Sequence, residues 1–260
     1  MNRFLTVFRL LPVVVYLFLC SCGSQVSTGG GAAAARFAQA PTDRPGLGTK
    51  WGENRNSRVE FTSFRRADPT RPITTAAIYY NDEQGIRAMV NTTAWQRTWP
   101  MLPPRMQSMI SVGLKDPIGR FYPGVFIGDR WFVVGQEGRR YVIVVRNKTD
   151  LRLEVVLSVD GLDVLDGRKA SVRKPGYIMA SRSELKVDGF RQSTESVAAF
   201  RFSPVRESYA AEKYHNTQNV GVIGVAVFNE AGTNPLTERE VQKRLNANPF
   251  PGRFAAPPQN

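Results

Sequence analysis

The chain has 260 residues, of which 35 are basic and 22 acidic, and its formal net charge is +13. The basic residues are spread along the chain without a long block of like charge, which argues against a nucleic-acid-binding arm and predicts no nucleic-acid partner. Two cysteines and one histidine are too few for a disulfide scaffold, and they leave little for a zinc site or a histidine-dependent catalytic triad.

The N-terminal stretch MNRFLTVFRLLPVVVYLFLCSC has the layout of a secretory signal. Arg3 and Arg9 form a positive start, and the uncharged apolar run 10–19 that follows is short for a membrane span. An ordinary signal peptide and a single N-terminal anchor helix are both compatible with this pattern.

Both cysteines stand at the end of this run, in the stretch LFLCSCGS. Leu19, Ser21 and Cys22 resemble the lipobox of bacterial lipoproteins. That resemblance implies that residues 1–21 are a removable signal peptide. It also implies that Cys22 receives a diacylglycerol and an N-acyl chain such as palmitate, and two or more acyl chains hold a protein firmly in a bilayer.

Gly23 follows the modified cysteine directly, at the position where an Asp resembles an inner-membrane retention signal in many Gram-negative lipoproteins. The resemblance therefore implies a lipid-anchored protein of the cell envelope, with the outer membrane favoured if the source is Gram-negative. A basic chain in that compartment is expected to meet anionic envelope glycans, lipid phosphates or envelope proteins.

Residues 22–54 are predicted to form a flexible tether that starts at the lipidated cysteine. The stretch GSQVSTGGGAAAARFAQAPTDRPGLGTK is rich in Gly, Ala, Ser, Thr and Pro and has few large apolar side chains. A chain that begins near Lys50 is therefore expected to melt at about the same temperature as the mature protein.

Residues 55–231 are predicted to form one all-β domain. The stretch LRLEVVLSVDG at 151–161 alternates apolar and polar residues, which indicates a strand with Glu154 on its wet face. The preceding RRYVIVVRN at 139–147 is predicted to pair with it as a hairpin. The stretch NVGVIGVAVF at 219–228 is apolar on both faces, which predicts a central strand.

These elements predict an antiparallel two-layer β-sandwich of jelly-roll or immunoglobulin type. Residues 232–260 are predicted to add a short helix, LTEREVQKRL, and a Pro-rich tail. Residues 138–230 resemble a domain of uncharacterised bacterial envelope proteins, and this resemblance implies a shared folded unit without site residues.

The stretch VDGLDVLDG places three carboxylates, Asp160, Asp163 and Asp166, at intervals of three residues. Carboxylates clustered in a loop can hold Ca²⁺, which takes several oxygen ligands. The alternative is turn formation, because Asp-Gly is a strong hairpin signal and Gly161 and Gly167 follow two of these residues.

Trp95, Trp99 and Trp131 are candidates for a ligand-binding surface, because exposed aromatic rings beside arginines bind sugars and peptides. The alternative is that these rings cover the ends of a sandwich core.

The sequence favours a non-enzymatic binding or structural module presented on a tether. Apart from the Ca²⁺ candidate, no cofactor is expected. The alternative is a hydrolase acting on glycan or cell wall through a pair of carboxylates, although the sequence singles out no such pair.

Overall fold

The computed structural model describes residues 45–90, 95–98, 109–234 and 245–246. The predicted signal peptide, the predicted lipidated cysteine and nearly all of the predicted C-terminal helix lie outside these residues. In chain order the elements are β1 (Leu47–Asn56), β2 (Thr74–Asn81), α1 (Glu83–Val90), β3 (Trp95–Thr98), β4 (Ile110–Lys115), β5 (Gly124–Ile127), β6 (Arg130–Val134), β7 (Val142–Asn147), β8 (Leu153–Val159), β9 (Leu162–Asp163), β10 (Tyr177–Met179), β11 (Glu184–Val187), β12 (Gly189–Arg191), β13 (Ser196–Pro204), the 3₁₀ turn η1 (Val205–Glu207), α2 (Tyr209–Tyr214) and β14 (Val222–Asn229).

Within the described residues these strands form three sheets. The largest has the order β10-β8-β14-β2-β6-β5-β3, with β9 paired to β8, and the smaller two have the orders β1-β13-β12 and β11-β7-β4. The predicted all-β, sandwich-like class is confirmed. One neighbouring pair, β2 and β6, runs parallel, because the long connection through α1 and β3–β5 returns the chain to the same end of the sheet.

One continuous apolar core draws side chains from strands of all three sheets. Its largest fully buried side chains are aromatic, and Phe190, Phe200 and Phe202 come from the β12–β13 pair. Tyr141 stacks on Phe202, with ring centroids 4.5 Å apart. The core is therefore shared by all three sheets.

The apolar strand β14 is central, as the sequence predicts: it pairs with β8 on one side and with β2 on the other. Ile223, Val225 and Val227 enter the main core. Ala226 and Phe228 lie on the opposite face in a second buried cluster. Both faces of β14 are therefore covered.

The predicted hairpin between 139–147 and 151–161 is wrong. Strand β7 pairs with β4 and β11, whereas β8 pairs with β14 and β10. The Asn147 side chain directs the connection: its amide donates to the Leu151 and Ala180 carbonyls, and its oxygen accepts from the Thr149 N–H at 2.9 Å. The short link thus passes from one sheet to another instead of closing a hairpin.

Glu154 is buried, and its predicted wet face is wrong. Arg66 forms a bidentate pair with it at 2.6 and 2.9 Å, and the Gly176 N–H donates to the same carboxylate at 2.6 Å. The Arg66 guanidinium also lies 3.7 Å from the centre of the Phe228 ring. The apolar Val156, on the same face of β8, marks this covered side of the sheet.

The predicted boundary of the tether at residue 54 is also wrong, because β1 begins at Leu47. Leu47 and Thr49 are buried, and the Thr49 N–H donates to Asp160 Oδ2 at 2.7 Å. The alternation of Leu47, Thr49 and Trp51 has the period of a strand. The preceding residues are rich in Gly and Pro, so this short pattern is easily read as part of the flexible segment.

A chain that begins at Lys50 is now expected to be less stable than one that begins at Pro45, by at least ~3 kcal/mol. It loses the buried Leu47 side chain and the hydrogen bond from Thr49 to Asp160. Urea denaturation of the two chains measures the difference. Equal midpoints would show that the start of β1 contributes nothing to the fold.

Candidate functional site

A cleft of about 660 Å³ lies beside β10. Strand β10 is one edge of the large sheet, and β12 is an edge of a small sheet. The residues lining the cleft are 59–62, Phe64, Glu154, Leu165, 175–178, Leu185 and 191–194.

The segment that follows β1 forms one wall of this cleft. It starts as an extension of the small sheet, because the Ser57 N–H donates to the Glu195 carbonyl at 2.7 Å and the Val59 N–H donates to the Thr194 carbonyl at 2.9 Å. Two residues further along this segment, 94% of the Phe61 side chain is exposed. An aromatic ring in water at the mouth of a cleft is available to a ligand.

Arg191, the last residue of β12, is held rigidly against this segment. Its Nη1 donates to the Ser57 and Ser193 carbonyls at 2.7 and 3.1 Å, and its Nη2 donates to the Ser57 hydroxyl at 3.1 Å. Its Nε donates to the Tyr177 hydroxyl at 3.3 Å. Four contacts to neutral groups fix the guanidinium and leave its charge unmatched.

The charge balance of the cleft confirms this. No carboxylate oxygen of the described residues lies within 4.0 Å of the Arg191 guanidinium. Glu154 is neutralised by Arg66, and Glu60 pairs with Arg58 at 3.8 Å. Arg191 is therefore the one charged residue of the described lining without an ion-pair partner.

Apolar side chains form part of the remaining lining. Val59, Leu165, Ile178 and Leu185 are half-buried and face the same space. Burial raises the pKa of Tyr177, and the neighbouring Arg191 opposes this rise. The tyrosine therefore stays neutral at physiological pH. Such a cleft can hold an apolar body and pair one anionic group with the guanidinium.

Of the three tryptophans predicted to form a binding surface, the structure describes the side chain of Trp131. Trp131 is fully buried in the core, so its predicted role in ligand binding is wrong. Its indole N–H has no acceptor among the described residues. Trp95 lies on the edge strand β3, and Trp99 lies outside the described residues. Trp51, which is not among the predicted residues, has 39% of its surface exposed.

The three aspartates do not converge on one metal site. Among the described residues, no group of three or more His, Cys, Asp or Glu side chains is placed to hold a metal ion. Asp166 pairs with Lys174 at 2.8 Å. Asp163 accepts from the Leu165 N–H at 2.9 Å, and burial raises the pKa of its carboxyl group.

Asp160 instead joins the turn after β8 to a buried polar cluster. Asp160 and Gly161 both have positive φ, at 56° and 79°, as a two-residue Asp-Gly hairpin turn requires. The Asp160 carboxylate accepts from the Thr49 N–H, the Gly221 N–H and the Tyr80 hydroxyl. The alternative of turn formation is confirmed for this Asp-Gly pair.

Two buried tyrosines complete the cluster. The Thr49 hydroxyl shares hydrogen bonds with the Tyr80 and Tyr141 hydroxyls at 2.7 and 2.6 Å. Burial raises the pKa of both tyrosines well above the ordinary range, so both remain neutral. These hydrogen bonds connect Thr49 on β1, Tyr80 on β2 and Tyr141, which directly precedes β7, inside the core. This cluster is structural, since it is closed to solvent.

Comparison with known proteins gives no family: no protein-family model, curated protein or solved structure matches the chain. In the part of the chain that the structure describes, no helix has the length and apolar character needed to cross a membrane.

Proposed function

We propose that this chain is an envelope lipoprotein that works as a non-enzymatic binding module. Its β domain presents the cleft beside β10 to a ligand that has an apolar body and a carboxylate. The observation that carries the proposal is Arg191, a fixed guanidinium without an ion-pair partner, in a cleft with partly apolar walls.

The membrane anchor is proposed from the sequence of the first 22 residues. Replacing Cys22 with Ser is expected to prevent lipidation and to release the protein from the membrane fraction. The matched change Cys20→Ala should alter nothing, because that residue leaves with the signal peptide. Fractionation of cells and mass spectrometry of the mature N-terminus measure both outcomes. Membrane-bound Cys22→Ser protein with unchanged processing would contradict the anchor.

The ligand class follows from the chemistry of the cleft. Four of the five N–H groups of Arg191 are used within the protein, so one N–H on Nη2 remains to donate to a ligand. A single hydrogen bond from a guanidinium to a carboxylate is charge-assisted and is stronger than a neutral hydrogen bond. The half-buried side chains Val59, Ile178 and Leu185 suit short aliphatic groups rather than a strongly hydrated sugar. In an envelope, the stem peptides of peptidoglycan combine methyl side chains with free carboxylates. They are therefore the ligand that we propose for this cleft.

The hydrolase alternative has less support. Glycosidases place two carboxyl groups roughly 5 to 9.5 Å apart on either side of the bond that they cleave. Of the two glutamates in the cleft, Glu154 is held by Arg66 and by the Gly176 N–H, and Glu60 pairs with Arg58. The Ser193 hydroxyl is bonded to the Ser196 hydroxyl and not to a base. These contacts favour binding.

Arg191→Gln is expected to weaken binding of soluble peptidoglycan fragments about 10- to 100-fold, because it removes a charge-assisted pair. Titration calorimetry with fragments whose stem carboxylates are free measures the effect. The unaltered protein should bind fragments with amidated carboxylates weakly. Its affinity for them should equal the affinity of Arg191→Gln for fragments with free carboxylates.

Arg87→Gln is the matched control. Arg87 lies on α1, is exposed, and is absent from the cleft lining. This variant should bind like the unaltered protein, and melting curves should show that both variants are folded. Equal affinity of folded Arg191→Gln for the free fragments would overturn the proposed function.

A further inference from the structure

A second surface, separate from the cleft lining, is built from aromatic rings. Trp51 lies on β1, and 39% of its surface is exposed. It stacks on Phe190 with 6° between the ring planes, and its centroid lies 4.8 Å from that of Tyr209. A half-exposed indole with two ring contacts is fixed in place, so a ligand that stacks on it loses little side-chain entropy on binding.

The short helix α2 supplies the neighbouring rings. Ser208 caps this helix by accepting from the Ala211 N–H at 3.2 Å. Tyr214 is 40% exposed, and its hydroxyl donates to the Gly167 carbonyl at 2.8 Å. We call Trp51, Tyr209, Lys213 and Tyr214 the aromatic platform.

Lys213 adds a positive charge to the aromatic platform. Its Nζ lies 4.8 Å from the Tyr209 ring centre and 5.4 Å from that of Tyr214, and it hydrogen-bonds to the Tyr209 hydroxyl. No carboxylate of the described residues lies within 4.0 Å of it. The Tyr209 ring centre lies 4.8 Å from the Trp51 ring centre and 4.8 Å from the Lys213 ammonium. The ammonium and the Trp51 ring centre are therefore no more than twice 4.8 Å apart.

From this arrangement we propose that the aromatic platform binds an acidic sugar. The C–H face of one pyranose ring packs on the exposed indole of Trp51, and a sugar carboxylate pairs with Lys213. The span between the indole and the ammonium is within the length of a disaccharide. A compact ammonium above two rings selects an anion, because a neutral sugar gains the stacking and not the ion pair. This site does not depend on the cleft.

Calorimetric titration with tetragalacturonic acid, and with the neutral α-1,4-linked galactotetraose, tests the proposal. The acidic sugar is expected to bind at least about tenfold more tightly than the neutral one, because its carboxylate forms a charge-assisted contact with Lys213. Lys213→Gln should remove this preference and leave the weak neutral binding unchanged. Lys186→Gln, an exposed lysine on β11, is the matched control and should keep the preference.

Trp51→Ala should abolish binding of both sugars, and Trp51→Phe should restore part of it. Because Trp51 also packs on Phe190, near-ultraviolet circular dichroism and melting curves must first show that both variants are folded. If Trp51→Ala does not fold, Lys213→Gln decides alone. Equal binding of the two sugars, no binding of either, or an unchanged preference in Lys213→Gln would overturn the proposal. Arg191→Gln should leave sugar binding intact, which separates this result from failure of the proposed cleft.

Discussion

Ile223→Asp is expected to unfold the domain or to lower its free energy of unfolding by ~5 kcal/mol. Ile223 is fully buried on β14 between β8 and β2, so that the carboxylate would enter the core without a partner. A loss of this size is comparable with the whole stability of a typical domain. Urea denaturation followed by circular dichroism, or the soluble yield where the variant does not fold, measures it.

Thr75→Asp is the control for this variant. Thr75 lies on the neighbouring strand β2 and is exposed, so an aspartate there should cost about 1 kcal/mol or less. A soluble Ile223→Asp protein that unfolds cooperatively near the midpoint of the unaltered chain would show that β14 is a surface strand.

Asp160→Ala is expected to lower the free energy of unfolding by ~3 to 5 kcal/mol. The change removes the acceptor of the Thr49 N–H and of the Gly221 N–H, and it leaves the Tyr80 hydroxyl with the Thr49 hydroxyl alone as its partner. It also places Ala at a φ of 56°, which Asp and Asn adopt more readily. Urea denaturation gives the total effect, and faster hydrogen exchange at the Thr49 amide would locate it.

Two other variants are compared with Asp160→Ala. Asp160→Asn keeps one side-chain oxygen and tolerates the backbone conformation, so it should lose less than the alanine variant. Asp150→Ala removes an exposed partner of Arg182 and should change stability by less than about 0.5 kcal/mol. An Asp160→Ala protein as stable as Asp150→Ala would mean that the buried cluster does not hold β1 in place.

The sequence predicts the fold where a pattern is local. Strand β14 is identified correctly because its apolar residues continue on both faces over a whole strand. The turn at Asp160 is identified correctly because Asp-Gly determines its own backbone conformation. Both signals lie within a few neighbouring residues, and no distant partner is needed to interpret them.

The errors arise where the structure depends on distant partners. Glu154 looks like a wet-face residue until Arg66, which is 88 positions away, covers it. Arg191 gives no signal in the stretch DGFRQS, because the Ser57 carbonyl that fixes it lies 134 positions earlier. Trp131 lies beside an arginine in the sequence, which predicts a binding ring, but its burial in the core keeps it from a ligand.

In the proposed function, Arg191 receives a carboxylate in a cleft whose walls are partly apolar. The most direct measurement is ¹⁵N NMR of the arginine side chains during titration with N-acetyl-D-alanyl-D-alanine and with its uncharged carboxamide. We expect the Arg191 Nε signal to shift in a saturable way with the acid and not with the carboxamide, while the Arg87 signal stays in place. Equal shifts with both compounds, or a saturable shift confined to arginines outside the cleft, would contradict it.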